Sequence, residues 1–215
     1  MQLRNVIKTL SLFFICLLGK LQAQSDSVIF DAAAGMPDRI YLTYNDFRNS
    51  RGITREEIEW PGDKTQLEFF TKVLQSENFS YRRDGTVLKA ESRRIWGYWQ
   101  NNWLYLNYKG EFYRVPVFGA ICYMVANVTV NLPGYYDPRF GYSTGMGTTT
   151  EVHEFLMNFY EGIITDLSVK EALELFKRDA TIYEEYKSLR RGAQKNELYR
   201  YIRRFNAAHP VYFLR

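Results

Sequence analysis

The sequence predicts an α+β fold, a curved antiparallel β-meander sheet followed by a small C-terminal helical segment. Three observations carry that expectation. Four β-rich runs, RRIWGYW, NWLYLNY, EFYRVPVF and AICYMVANVTV, follow one another across short breaks at Gln100 to Asn102, Lys109 to Gly110 and Gly119, the spacing of antiparallel neighbours. Two extended runs in FSYRRDGTVLKA flank Asp84 and Gly85, a favoured hairpin turn pair. In the last fifty residues, Ser168 stands three before Glu171 and Thr181 three before Glu184, the spacing of helix-opening capping boxes.

Taken in order, the chain opens with Arg4 and Lys8 ahead of the apolar run LSLFFICLLG, and Ala23 follows as a small residue for cleavage. That pattern is a secretory signal, and the run is well short of the roughly 20 apolar residues a membrane-spanning helix needs. Residues 1–23 are therefore expected to be a signal peptide and the mature chain to begin near Gln24, exported and with no transmembrane segment. Cys16 leaves with the signal, so Cys122 is the one remaining cysteine and no internal disulfide can form. The signal also carries Arg4, Lys8 and Lys20 with no acid, so the formal charge falls from +4 to +1 on cleavage. The basicity that would suggest a nucleic-acid partner belongs largely to the targeting segment, and no nucleic acid is expected.

The remaining residues divide into a β-rich domain at 24–166 and a helical C-terminal segment at 167–215, packed on or beside the sheet. DRIYLTYNDFRNS reads as a short strand running into a helical turn capped by Thr43 and Asp46. Residues 48–64 read as a loop broken by Gly52, Pro61 and Gly62. QLEFFTKVL, with near alternation of polar and apolar residues, reads as a strand. Residues 96–115 then place eight aromatic side chains in twenty positions. Alternation in NWLYLNY sends Trp103 and Tyr105 to one face and Leu104, Leu106 and Tyr108 to the other. Both faces are apolar, so each needs a cover, either a second layer of protein or a ligand.

Residues 131–150, NLPGYYDPRFGYSTGMGTTT, hold four Gly and two Pro without periodicity and read as a long loop. Beyond the two capped helices, Leu198, Tyr201, Ile202 and Phe205 form the apolar face of a third that follows Gly192. Its surroundings are basic: seven Lys or Arg against one acid, Glu197, between Lys187 and Arg204. That composition suits a solvated helix face or contact with an anionic surface.

Catalytic motifs fail on context. GYSTG matches G-x-S-x-G around Ser143, and Asp166 and His209 follow in hydrolase order, but no buried strand precedes the serine and no helix follows it. His153 lacks a second His four residues on, and GMGTTT has neither the lysine of a P-loop nor the third glycine of a dinucleotide fingerprint. Cys122 lies in an apolar strand, the setting of an inert thiol. No catalytic residue, metal ligand or cofactor is assigned. The carboxylates of Asp137, Glu154 and Asp166 leave open a small secreted hydrolase using loop carboxylates or Ser143.

The favoured reading is a non-catalytic envelope protein that binds a glycan or another envelope protein through aromatic side chains. Trp99, Trp103 and Tyr105 on the sheet, with Tyr135, Tyr136 and Tyr142 on the loop, are the candidates for stacking. The competing reading places Trp96, Trp99, Trp103 and Tyr105 in the core as cross-strand partners. IYLTYNDFRN, the stretch IWGYWQNNWLYLNYKGEFYRV with GAICY after it, and the closing YRYIRRFNAAHPVYF resemble, in spaced pieces over most of the mature chain, a functionally uncharacterised family of secreted proteins of Bacteroidota. The resemblance implies a periplasmic or cell-envelope location in a Gram-negative bacterium and transfers no catalytic residue.

Overall fold

The computed structural model describes residues 27–29, 35–132, 136–137, 139, 142–143 and 147–214. The described residues combine helices with antiparallel sheets. Strands β1 (Ser27–Ile29) and β2 (Arg39–Tyr41) come first, and β2 runs into the short helix α1 (Tyr44–Arg48). The capping box at α1 forms as the spacing implied: Asp46 N–H donates to Thr43 Oγ1 at 3.1 Å, and Thr43 N–H returns to the Asp46 carboxylate at 3.0 Å. After β3 (Ile58–Glu59), the segment expected to be a strand is instead helix α2 (Phe69–Gln75). Its buried residues Phe69, Phe70, Val73 and Leu74 recur at helical spacing, and that face decides the element over the local alternation.

Strands β4 (Asn78–Arg83) and β5 (Thr86–Glu91) form the expected hairpin, with Arg83 opposite Thr86. Asp84 and Gly85 have φ of 52° and 77°, the double left-handed turn that an Asp-Gly pair accepts most readily. Then β6 (Gly97–Gln100), β7 (Trp103–Tyr108) and β8 (Glu111–Arg114) pair consecutively, and β2 joins the far side of β6 to complete a four-stranded sheet in the order β2-β6-β7-β8. The fourth run of the expected meander does not continue that sheet. It becomes β9 (Ile121–Leu132), in a separate sheet ordered β13-β12-β9 with β12 (Gly147–Asn158) and β13 (Ile163–Asp166).

Much of the expected loop at 131–150 is also strand. β9 and β12 form one ladder from Ile121↔Asn158 out to Leu132↔Gly147, and a small antiparallel pair, β10 (Tyr136–Asp137) with β11 (Tyr142–Ser143), lies between them in sequence. Glycine and proline density suggested a loop, yet the flanking Thr, Val and Asn residues sustain pairing on both sides.

Helices α3 (Val169–Phe176), α4 (Ala180–Ser188) and α5 (Arg191–Ala208) follow, and β14 (Tyr212–Leu214) returns to pair with β1. Ser168 caps α3 by accepting from Glu171 N–H at 3.1 Å, as its spacing implied. The cap of α4 is Asp179 rather than Thr181: its carboxylate accepts from Ile182 N–H at 3.0 Å, and Thr181 is already inside the helix. Both residue types cap well, so the serine-threonine spacing alone could not place this boundary. On α5 the buried apolar residues are the expected Leu198, Tyr201, Ile202 and Phe205.

Two hydrophobic clusters meet at the four-stranded sheet. One face, with Tyr41, Trp99, Leu104 and Leu106, belongs to a large cluster shared with the β9–β12 ribbon and the three C-terminal helices. The other face, with Ile40 and Tyr98, packs on α2 and the β3-β4-β5 sheet. The second cover that the two apolar faces called for is therefore protein. The helical segment packs on the ribbon, where Asn206 of α5 both accepts from Ile121 N–H and donates to Ile121 O at 2.8 Å.

Candidate functional site

Of the aromatic residues singled out on the sheet, Trp99 is 2 % exposed and Trp103 is 36 % exposed. The reason is strand alternation. Trp99 lies opposite Leu104 and points with it into the large cluster, whereas Tyr105 lies opposite Tyr98 on the other face and stacks on it, with ring centroids 4.6 Å apart and planes 3° apart. The sheet thus separates Trp99 from Tyr105. Cross-strand stacking accounts for Tyr105, and Trp96 tilts against Phe47 at 4.8 Å as part of the core. Tyr136 and Tyr142 lie in β10 and β11, in adjacent rungs of that pair. Tyr135 lies outside the described residues.

Trp103 differs from the others because it begins β7 immediately after a tight turn. Asn101 and Asn102 make that turn with φ of 53° and 62°, the left-handed region that asparagine tolerates better than most residues. Asn101 is pinned there: its N–H donates to Asp38 Oδ1 and its Nδ2 to Leu67 O, both at 3.0 Å. Asn102 lies against Gly35, where a Cβ would come within 2.3 Å of Asn102 Oδ1, so the glycine leaves the amide its place. The Arg114 guanidinium sits 3.2 Å from the Trp103 ring centroid, a cation–π contact that fixes the indole.

Around this turn opens a cavity of about 500 Å³. Trp99, Leu104, Val115 and Phe118 supply its apolar surface, and Asn101, Asn102, Trp103 and Pro116 complete it. An apolar floor with a few polar groups at its margin is the usual character of a small-molecule site. The turn asparagines were legible only as a break between strands, because a turn reading assigns them no role beyond backbone geometry.

Of the residues of the hydrolase reading, Asp137 and Ser143 lie in adjacent rungs of the β10–β11 pair, while Glu154, Asp166 and His209 have contacts of their own elsewhere. Ser143 sits in β11, paired antiparallel with Tyr136, so it does not occupy a strand-to-helix elbow. His209 Nε2 pairs with Asp179 at 3.1 Å, which occupies it with the α4 cap. Asp166 is the cross-strand partner of Phe155 and borders a cavity of about 510 Å³ with Tyr108 and Glu171. Glu154, one residue before Phe155, faces the opposite side of the sheet, where the Tyr123 hydroxyl donates to it. That carboxylate and burial push the Tyr123 phenol above its ordinary range, with burial the larger cause.

The Cys122 thiol is buried, and burial pushes it up to about 12, far from a nucleophile's range. Among the described residues, no cluster of three His, Cys, Asp or Glu could hold a metal ion, and no helix is long and apolar enough to cross a membrane. No family model matches the chain, and neither a curated protein nor a solved structure matches it.

Proposed function

We propose that this chain is a non-catalytic cell-envelope protein that binds a glycan in the cavity beside the Asn101–Asn102 turn. The observation that carries the reading is an aromatic-floored cavity edged by two asparagines and by the exposed residue Trp103 at the start of β7. A sugar ring has an apolar face that stacks on an indole and a hydroxyl rim that exchanges hydrogen bonds with amides. The cavity's volume suits one or two rings better than a flat protein surface. The signal-like residues 1–23 and the resemblance to secreted proteins of Bacteroidota support export to the envelope.

Titration of Trp fluorescence and melting temperature with neutral hexose and N-acetylhexosamine oligomers tests this reading. At least one oligomer is expected to raise the melting temperature, as any ligand of the native state must. Trp103→Ala and Asn102→Ala are expected to weaken that binding about tenfold or more each. If no oligomer shifts either signal, or if both variants bind as the parent does, the glycan reading fails.

A further inference from the structure

Strand β12 carries a ladder with β9 along its whole length, but on its other side it is paired only where β13 reaches it, opposite Phe155–Asn158. The carbonyl of Glu154 turns to that outer side, accepting from Leu167 N–H at 2.8 Å, and Asn158 O accepts from Gly162 N–H there at 2.8 Å. Backbone groups of an antiparallel strand alternate sides residue by residue. The N–H and C=O of Thr148, Thr150 and Val152 therefore point outward too, and among the described residues no backbone partner meets them there. All three residues are exposed, Val152 at 69 %.

On the opposite edge of the ribbon one outward carbonyl of β9 is met by a side chain. On β9 the Tyr113 hydroxyl donates to Asn127 O at 2.7 Å, and Val128 is buried. Natural edge strands discourage pairing with another chain by means of lysine, proline or a bulge. Gly147–Glu154, GTTTEVHE, contains no lysine and no proline, and its pairing with β9 is unbroken.

We propose that this edge of β12 pairs antiparallel with the same edge of a second copy of the chain. With Thr150 opposite its own copy, Thr148 falls opposite Val152 and Val152 opposite Thr148. Every outward N–H and C=O of these residues then has a partner, because each such pair exchanges two hydrogen bonds. The same register sets Glu151 against Thr149, so the two acidic side chains do not oppose each other across the symmetry axis. The pairing is isologous and closes at two copies. A foreign extended peptide would satisfy the same backbone groups, but a second copy brings an identical unpaired edge of its own, so one contact satisfies both.

Sedimentation velocity of the full chain over a wide range of concentration tests the proposal, with a monomer–dimer equilibrium expected. Thr150→Pro deletes the central outward donor without touching the β9 ladder, a placement proline tolerates at a sheet edge. Val152→Lys puts a charge where the copies meet. Each is expected to weaken the dimer about tenfold or more, whereas Thr150→Val, which keeps the N–H, retains it. Melting temperatures close to the parent's verify that the variants are folded. A parent chain that stays monomeric at the highest concentration, or a dimer that survives both substitutions in folded protein, overturns the proposal.

Discussion

The two halves of the β9–β12 ribbon share one uninterrupted ladder and differ in nearly everything else. At the inner end, four consecutive residues of β12, Phe155 to Asn158, are buried although their side chains alternate between faces, so both faces are covered there. From the Glu154↔Val125 rung outward, Val125 and Val152 are 37 % and 69 % exposed on one face, while Val128 on the other stays buried. Hydrogen-bonded pairing is common to both halves, so pairing does not decide which half is core. What decides it is the cover: it reaches both faces of the ribbon at the inner end, but only the face of Val128 farther out.

The contrast can be tested hardest at Cys122, in the inner half. Alkylation of its thiol by iodoacetamide is expected to be suppressed about a thousandfold or more relative to the unfolded chain, since reaction must wait for opening of a domain stabilised by several kcal/mol. Modification at the rate of a free thiol would mean that the inner end is not closed. The same contrast recurs across the β6–β7 turn: Trp99→Ala is expected to cost about 3–5 kcal/mol in denaturant unfolding, and Trp103→Ala about 1 kcal/mol or less. Comparable losses at the two positions would show that the turn does not separate core from surface. Within the ribbon itself, Leu156→Ala is expected to cost about 2–5 kcal/mol while Val152→Ala stays within about 0.5 kcal/mol, and equal values would erase the distinction between the halves.

The smallest effect concerns pH. The Ile182 N–H, and after it His209, hold the Asp179 carboxyl below the usual carboxylate range. A native pKa below the unfolded value of about 3.9 stabilises the fold above that value, and the contribution is lost as pH falls through the native pKa. Asp179→Asn keeps a capping side chain but removes the charge, so its melting temperature should fall below the parent's at neutral pH and converge with it in acid. A gap that widens toward low pH would contradict this assignment.

The elements legible in the sequence are those whose signal is local. Asp84-Gly85 announces its hairpin because few other pairs accept two left-handed residues in succession, and Thr43 and Ser168 announce helix starts because their side chains reach only three residues onward. Leu198, Tyr201, Ile202 and Phe205 were legible because one face of one helix does the packing. Where tertiary context decides, reading fails. Phe69, Phe70, Val73 and Leu74 suit a strand locally and become a helix because their partners lie in the second cluster. The β9–β12 ladder joins residues up to 37 apart in sequence, which no local pattern records. The candidate site divides the same way: Trp103 was visible as an aromatic, but the contribution of Asn101 and Asn102 depends on Asp38, Leu67 and Gly35, all distant in sequence.

The pairing of β1 with β14 has a mechanical consequence. Ser27 lies opposite Leu214 and Ile29 opposite Tyr212, so the rung nearest both chain ends is the outermost one. Tension applied between the two ends loads that rung alone, then the next, and opens the pair like a zipper rather than shearing all its hydrogen bonds together. A chain tethered at one end and pulled at the other would yield first at this clasp, at low force, before the ribbon or the aromatic sheet bears any load.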